Sequence, residues 1–119
     1  MLNNSGNHRA QKVASMIRAE VARLLISEVS DPRLSHLVIT DVEVSKDLRT
    51  ARVYYESGPS SDQKEIERGL SRAVAFFRRK LGSNLEMRYV PQLVFQVDTH
   101  SNRLNQLLTT MDGVRGTKE

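Results

Sequence analysis

The chain contains no cysteine and no tryptophan, and only 5% of its 119 residues are aromatic. Without cysteine it can form neither disulfides nor thiolate metal sites. No apolar run approaches the roughly 18 residues that a membrane-spanning helix needs, and the polar N-terminal residues lack the apolar block of a signal peptide. We therefore expect a soluble cytoplasmic protein without membrane association, and the sequence offers no motif for a cofactor or a metal.

Positive charge exceeds negative charge modestly and is unevenly distributed. Eighteen lysines and arginines oppose fourteen acids, which gives a net charge of +4 and a pI near 9.8. Seven acids lie within residues 41–67, whereas residues 72–88 hold five cations and a single acid. This bias favours an anionic partner without identifying it.

Apolar spacing predicts a helix followed by a hairpin in the first half of the chain. Helical spacing extends from His8 to about Ser30, where the proline of "SDPR" ends the helix because it disfavours a helical residue before it. Residues 38–44 and 51–56 then alternate with a period of two around a short turn, which is typical of an antiparallel hairpin. On the first strand, the alternation predicts one face shared by Val38, Thr40, Val42 and Val44.

The second half of the chain predicts a helix, a strand and a short final helix. Asp62 opens a capping-box pattern that starts the second helix, which we expect to end near Leu81 with Gly82 as its C-cap. The third strand is "QLVFQVD" (92–98), and residues 101–111 are expected to form the last helix.

The predicted order is α-β-β-α-β with a short C-terminal helix, in a single α+β domain. The helix before the third strand allows a crossover onto the same sheet, so we expect a three-stranded sheet with the helices packed on one face. The domain is predicted at residues 8–111, between a flexible N-terminus (1–7) and a flexible C-terminal tail (112–119).

The segment "RAVAFFRRKL" (72–81) combines four cations with two adjacent phenylalanines. At about 100° per residue, Phe76 lies beside Arg72 and Arg79 and away from the apolar stripe of a straight helix. Two interpretations are possible. In the first, Phe76 belongs to the core because the helix bends or another element covers it. In the second, its ring stacks on unpaired bases inside a cationic patch. The four cations suit either phosphate contacts or an ordinary solvated face. The residues alone leave both questions open.

The chain contains, in this order, "VASMIRAEVARLL", "DPRL", "ITDVEVSKDLRTARVYY", "LSRAVAFFRRKLGSNLEMRYVPQLVFQVD" and "LNQLL". Together these segments cover roughly residues 8–108, and they resemble the ribosome-binding factor A family of bacterial small-subunit assembly factors. The most specific parts are "DPR" (31–33), "VSKDLRTARVYY" (44–55) and "RKLGSNLEMRYVPQLVF" (79–95).

The resemblance implies a type II KH-like fold, which matches the predicted order of elements. It implies a non-catalytic RNA-binding factor that binds the immature 30S subunit and its 16S rRNA. It further implies a role in late assembly and in 5′-end processing of 16S rRNA, including at low temperature. We expect such a factor to act as a monomer and not as an enzyme.

The resemblance also implies a departure from standard KH domains at the centre of the second helix. Standard domains clamp RNA with a Gly-x-x-Gly loop, whereas this family has a kinked Ala-x-Gly, which corresponds here to Ala73, Val74 and Ala75. Alanine at position 75, where the family usually has glycine, favours a continued helix by about 1 kcal/mol. The letters "GVRG" (113–116) also fit Gly-x-x-Gly, but they follow the third strand without a helix pair and are not expected to bind RNA.

On this hypothesis, cations of the second helix and its exit neutralise rRNA phosphates, and cations of the first helix extend the track. Arg33 either contacts phosphate or ties down its loop. The alternative function is a protein-interaction module whose basic surface does not act through RNA. A small hydrolase or nuclease is disfavoured because no convergent ligand set occurs. The predicted RNA-binding residues are Arg72, Arg78, Arg79, Lys80 and Arg88, with Arg9, Lys12, Arg18 and Arg23 on the first helix.

Overall fold

A computed structural model describes residues 4–59 and 61–98, with side chains from residue 8 onward. The predicted last helix at 101–111 and the "GVRG" letters lie outside these residues. The order of elements in the described residues agrees with the sequence-based prediction. The elements are α1 (Asn4–Ser27), a short 3-10 helix (Pro32–Leu34), β1 (Val38–Val44), β2 (Thr50–Glu56), α2 (Gln63–Asn84) and β3 (Gln92–Val97).

The three strands form one sheet in the order β1-β2-β3 within the described residues. β1 and β2 are antiparallel, as expected for a hairpin, whereas β2 and β3 are parallel. Because parallel neighbours need a crossover connection, α2 carries the chain from one end of the sheet to the other. α1 packs mainly on β1, and α2 packs on α1 and β3, so both helices cover the same face. The predicted α+β architecture is confirmed.

The core lies between this sheet face and the two helices. Phe77 of α2 is fully buried, and its ring centroid lies 5.6 Å from that of Phe95 on β3. Apolar side chains that are spaced by three or four residues on the helices meet side chains that alternate on β2. The buried residues of this core include Ile17, Val21 and Leu24 of α1, Ala51, Val53 and Tyr55 of β2, and Leu70, Phe77 and Leu81 of α2.

β1 contains a β-bulge that the sequence pattern did not reveal. Ile39 and Asp41 pair with consecutive residues of β2, so Thr40 is inserted between them. The insertion shifts the alternation by one position, and Ile39 before it and Val42 after it are both buried. Val38 is 59% exposed. The predicted apolar face of β1 is therefore wrong at Val38.

Both helices end at residues that differ from the prediction. α1 ends at Ser27, and α2 continues through Gly82 to Asn84 before its C-cap at Leu85. The assignment of Gly82 as the C-cap is therefore wrong. A Cβ at position 82 would lie 3.2 Å from Cγ2 of Val90, so the glycine instead permits close packing of the chain that leaves α2.

The "DPR" loop is fastened to α2 through Arg33. Asp31 caps the 3-10 helix and accepts hydrogen bonds from the backbone N–H of Arg33 at 2.9 Å and from its guanidinium at 2.8 Å. The side-chain hydrogen bonds from Arg33 hold the pKa of Asp31 below its ordinary value. Arg33 also lies 3.6 Å from the carboxylate of Glu65 on α2. Of the two roles left open for Arg33, the structure supports tying down the loop.

Candidate nucleic-acid interface

The N-terminal half of α1, the turn between β1 and β2, and the connection from α2 to β3 meet at one end of the domain. They enclose an open groove of about 730 Å³. We call it the basic groove, because it contains three arginines and, among its lining residues, one acid. It is lined by Val13, Asp47–Arg49, Arg78 and Met87–Gln92.

Arg78 holds one wall of the basic groove in place. Its guanidinium donates hydrogen bonds to the carbonyl oxygen of Val90 at 2.8 Å and to that of Pro91 at 3.2 Å. These two carbonyls belong to the connection between α2 and β3, so the side chain ties that connection to the helix. A predicted RNA-binding residue is thus also a structural one.

Replacing Arg78 with methionine is expected to lower the free energy of unfolding by about 1–2 kcal/mol, because two backbone carbonyls lose a charged donor while the aliphatic packing is kept. Chemical denaturation of Arg78→Met measures this loss. Arg72→Met is the matched control on the exposed side of the same helix and is expected to change stability by less than about 0.5 kcal/mol. Equal stabilities of the two variants would contradict the anchoring role of Arg78.

Two backbone hydrogen bonds fix the same connection at its ends. The N–H of Met87 donates to the carbonyl of Gly82 at 3.0 Å, and the N–H of Gln92 donates to the carbonyl of Arg49 at 2.8 Å. The second bond joins the connection to the turn between β1 and β2. The two sides of the basic groove are therefore linked through the backbone.

The turn between β1 and β2 presents Leu48 and Arg49 to the groove. Ser45 donates to the Asp47 carboxylate at 2.7 Å, and the N–H of Arg49 donates to it at 3.1 Å. These hydrogen bonds, that from Ser45 foremost, hold the pKa of Asp47 below its ordinary value. Leu48 adopts a φ of 62°, in the left-handed region. Asp47 therefore serves the turn as an acceptor.

The structure brings some of the predicted cations together at the basic groove. Arg78 and Arg88 line it, and both are exposed. On α1, Arg9 lies one turn before the groove residue Val13, and Lys12 precedes Val13 directly. Neither Arg9 nor Lys12 pairs with an acid within residues 4–59 and 61–98.

Two predicted cations are instead paired with acids of α1 and of the residue that follows it. Arg23 lies 2.6 Å from Glu20 and 3.6 Å from Glu28, and Lys80 lies 3.1 Å from Glu28. Asn84 also donates to Glu20, at 2.6 Å. The pairs of Arg23 lie within α1 and its exit, whereas Lys80 and Asn84 connect α2 to the same acids. Arg23 and Lys80 therefore have a structural role and are poor candidates for phosphate contacts.

The hydrogen bond from Arg23, followed by that from Asn84, lowers the pKa of the Glu20 carboxyl. Because the folded pKa is depressed, this contact stabilises the fold above the ordinary pKa of the carboxyl. The stabilisation is lost as the pH falls through the lowered value. The same contact raises the pKa of Arg23 and keeps it charged.

The remaining predicted cations lie away from the basic groove. Arg72 and Arg79 occupy the solvent flank of α2, two turns apart, and neither makes an ion pair in the described part of the chain. Arg18 lies half a turn around α1 from Arg9, at about 180°. The nine cations therefore do not form one continuous track.

Phe76 is partly buried, packs against the core and lies beside α1. It shares the flank of α2 that carries Lys80, which pairs with Glu28 just after α1, and Asn84, which donates to Glu20 of α1. Its ring meets that of Phe77 edge-on at 5.9 Å. The guanidinium of Arg79 lies 5.6 Å from the ring centroid, and the ammonium of Lys80 lies 5.9 Å from it. These contacts explain why a phenylalanine lies among cations, and they require no stacked RNA base.

α2 runs without interruption through Ala73, Val74 and Ala75. Ala73 and Val74 are partly buried and Ala75 is exposed, as expected for one helical turn over the core. The position that implied a kink therefore lies in hydrogen-bonded helix, in keeping with alanine at position 75.

Sequence reasoning missed two residues of the groove. The sequence pattern places Arg49 only in the turn, yet it lines the groove together with Arg78 and Arg88. Tyr89 was unassigned, yet it is 83% exposed, and the guanidinium of Arg88 lies 6.0 Å from its ring centroid. The adjacency of arginine and tyrosine in "MRYVP" was the available signal for the second.

No group of three or more histidine, aspartate or glutamate side chains in the described residues is arranged to hold a metal ion. Neither of the described helices combines the length and apolar character needed to cross a bilayer.

The fold and the groove define a KH-like α+β domain with a basic concave surface. The sequence pattern of the family described as ribosome-binding factor A matches residues 9–110. The chain belongs to the ribosome-binding factor A family. A relative from Syntrophus aciditrophicus, ribosome-binding factor A, is 42% identical over 104 residues, which cover 84% of this chain and 85% of the relative.

Solved structures of the same family share the fold. The crystal structure of ribosome-binding factor A from Thermus thermophilus superposes with a TM-score of 0.67 at 27% identity, covering 74% of this chain and 93% of that one. A homology model of the Thermus thermophilus factor, fitted into a cryo-EM map of a 30S complex, gives a TM-score of 0.57 at 28% identity, covering 76% of this chain and 92% of that one. These similarities confirm the type II KH-like topology expected from the sequence.

Proposed function

We propose that this chain binds the immature 30S ribosomal subunit by contacting phosphates of 16S rRNA with the cations of the basic groove. The observation that carries the proposal is the convergence of Arg49, Arg78 and Arg88, from three separate elements, on one groove. Arg9 and Lys12 on the neighbouring turns of α1 extend its positive surface. The 30S complex of the Thermus thermophilus factor supports the same partner.

Electrostatics of the groove suit a folded polyanion. Guanidinium groups bind phosphate oxygens in a bidentate geometry, and binding releases condensed counterions from the RNA. Arg49 and Arg88 are exposed and make no ion pair in the described residues, so their donors are available. Arg72 and Arg79, on the solvent flank of α2, would contact phosphates outside the basic groove.

In this proposal the chain catalyses no reaction. It favours one conformation of the rRNA because it binds that conformation more tightly, and it leaves when the mature subunit no longer offers the contacts. Late assembly and 5′-end processing of 16S rRNA, including at low temperature, follow from this preference. Cold raises the demand for such a factor, because misfolded RNA helices rearrange more slowly.

Sucrose-gradient fractionation tests the proposed partner directly. We expect the protein to comigrate with free small subunits and with their precursors, and to be absent from translating ribosomes. Ribonuclease treatment before the gradient is expected to abolish the comigration, because RNA phosphates carry the binding. Retention on one protein after ribonuclease treatment would instead support a protein-interaction module.

A further inference from the structure

We propose that Tyr89 stacks on an unpaired base of the bound RNA while Arg49 and Arg88 hold the flanking phosphates. The inference rests on the proposed function and adds a site for a single-stranded nucleotide. It starts from the exposure of the ring. The chain has three phenylalanines and three tyrosines, and the other five rings are buried or partly buried in the fold. Tyr89 alone is exposed, at 83%.

The exposed ring is held on a fixed support. Arg78 donates to the carbonyls of Val90 and Pro91, the two residues that follow Tyr89. Gly82 allows Val90 to pack against α2, where a Cβ would lie only 3.2 Å from it. The backbone around the tyrosine is therefore ordered before any ligand binds, which reduces the entropy lost on binding.

The charges around the ring match a nucleotide. Three arginines and one aspartate line the basic groove, so the lining has a net positive formal charge. Ser45 and the backbone N–H of Arg49 both donate to Oδ1 of Asp47, so one of its two carboxylate oxygens is engaged within its own turn. Phosphates pair with the cations, and a base supplies the flat apolar face that the phenol ring needs.

The chemistry favours an unpaired nucleotide over the other anionic partners. A base inside a duplex has both faces covered by its neighbours, so it cannot stack on the ring without leaving the helix. An acidic peptide would satisfy the arginines but would leave the aromatic face without a planar partner. Proteins that bind single-stranded RNA combine an aromatic ring, on which a base stacks, with guanidinium groups, which bind the phosphates.

Substitution of Tyr89 tests the stacking role, with Tyr89→Phe as the matched control for Tyr89→Leu. Binding is measured to immature small subunits, to oligouridine and to an RNA hairpin. We expect Tyr89→Leu to weaken binding to oligouridine about 10-fold, since each stacked base contributes a factor of that order. Tyr89→Phe keeps the ring and is expected to stay within about 2-fold of the parent. Binding to the duplex stem should be unchanged in both variants.

A fluorescent base reports stacking separately from affinity. An oligonucleotide containing 2-aminopurine is expected to lose fluorescence on binding to the parent chain and to Tyr89→Phe, and to keep it on Tyr89→Leu. Because Tyr89 carries no charge, both variants should retain the salt dependence of the parent. Because the side chain of Tyr89 is exposed, its substitution is not expected to disturb the fold. Circular dichroism verifies that both variants are folded.

Two outcomes overturn the inference. If Tyr89→Leu binds oligouridine as the parent does, while variants of Arg49 and Arg88 lose subunit binding, the stacking role fails and the proposed function stands. If polyglutamate binds the groove more tightly than oligouridine and depends on Tyr89, the groove accepts an acidic peptide. If all of the tyrosine and arginine variants still bound the subunit as the parent does, the proposed function itself would be refuted.

Discussion

Replacing Lys12, Arg49 and Arg88 together with glutamate is expected to weaken binding to immature small subunits by at least about 100-fold at about 0.1 M salt. Each phosphate contact releases close to one counterion, and at this salt each release favours binding by somewhat less than a factor of ten. Three lost contacts therefore multiply to two orders of magnitude or more. Filter binding or fluorescence anisotropy with a labelled subunit measures the change.

A second triple variant controls for net charge. Arg18, Lys64 and Arg68 are exposed on flanks of α1 and α2 that do not line the basic groove. Their replacement with glutamate changes the net charge by the same amount, and we expect it to weaken binding by less than about 10-fold through long-range electrostatics. Equal losses in the two triple variants would mean that the groove has no special role.

Truncation of Phe77 to alanine is expected to lower the free energy of unfolding by about 3–5 kcal/mol. The side chain is fully buried, and its ring contacts Phe95 of β3 and Phe76 of its own helix. Removing it leaves a cavity where α2 meets the sheet. For a small domain this is a large share of the total stability, so the variant should unfold at much lower denaturant concentration.

Ile26→Ala is the matched control for the truncation of Phe77. Ile26 is a large apolar residue of α1 that is 87% exposed, and its truncation is expected to change stability by less than about 0.5 kcal/mol. If Phe77→Ala lost no more stability than Ile26→Ala, the packing between α2 and the sheet would not be the source of the core's stability.

The periodicity of the sequence was sufficient to predict most of the fold. On α1, Val13, Ile17, Val21 and Leu24 recur at helical spacing, and the last three are fully buried. Burial of one face is what such spacing reflects, so helices and β2 could be predicted from it. The helix before β3 predicted a crossover onto the same sheet, but the parallel pairing of β3 with β2 was not predicted and comes from the structure.

Two features escaped prediction because they depend on contacts between distant residues. The bulge at Thr40 changes which residues of β1 face the core, and its position is fixed by pairing with β2 rather than by the local pattern. Gly82 has the residue type of a helix cap, but packing of Val90 determines its role. Local sequence rules cannot weigh such contacts.

The candidate site was predicted in part, through residue types rather than positions. Arg78 and Arg88, two of the predicted RNA-binding residues, both line the groove, but the sequence did not indicate that Arg49 would join them. Conversely, Glu20 and Glu28 lie far from Lys80 in sequence, and only the packing of α1 on α2 brings an acid to it. The RNA-binding role of the nine cations stays a prediction.

If cations in and beside the basic groove bind the phosphates of a folded RNA, the affinity depends steeply on salt concentration. The logarithm of the affinity for immature small subunits should fall linearly with the logarithm of the salt concentration. For the variant with glutamine at Lys12, Arg49 and Arg88, we expect the slope to be shallower by about two to three, since each lost contact removes about 0.7–0.9. A slope that is the same in the parent and in this variant would contradict the account.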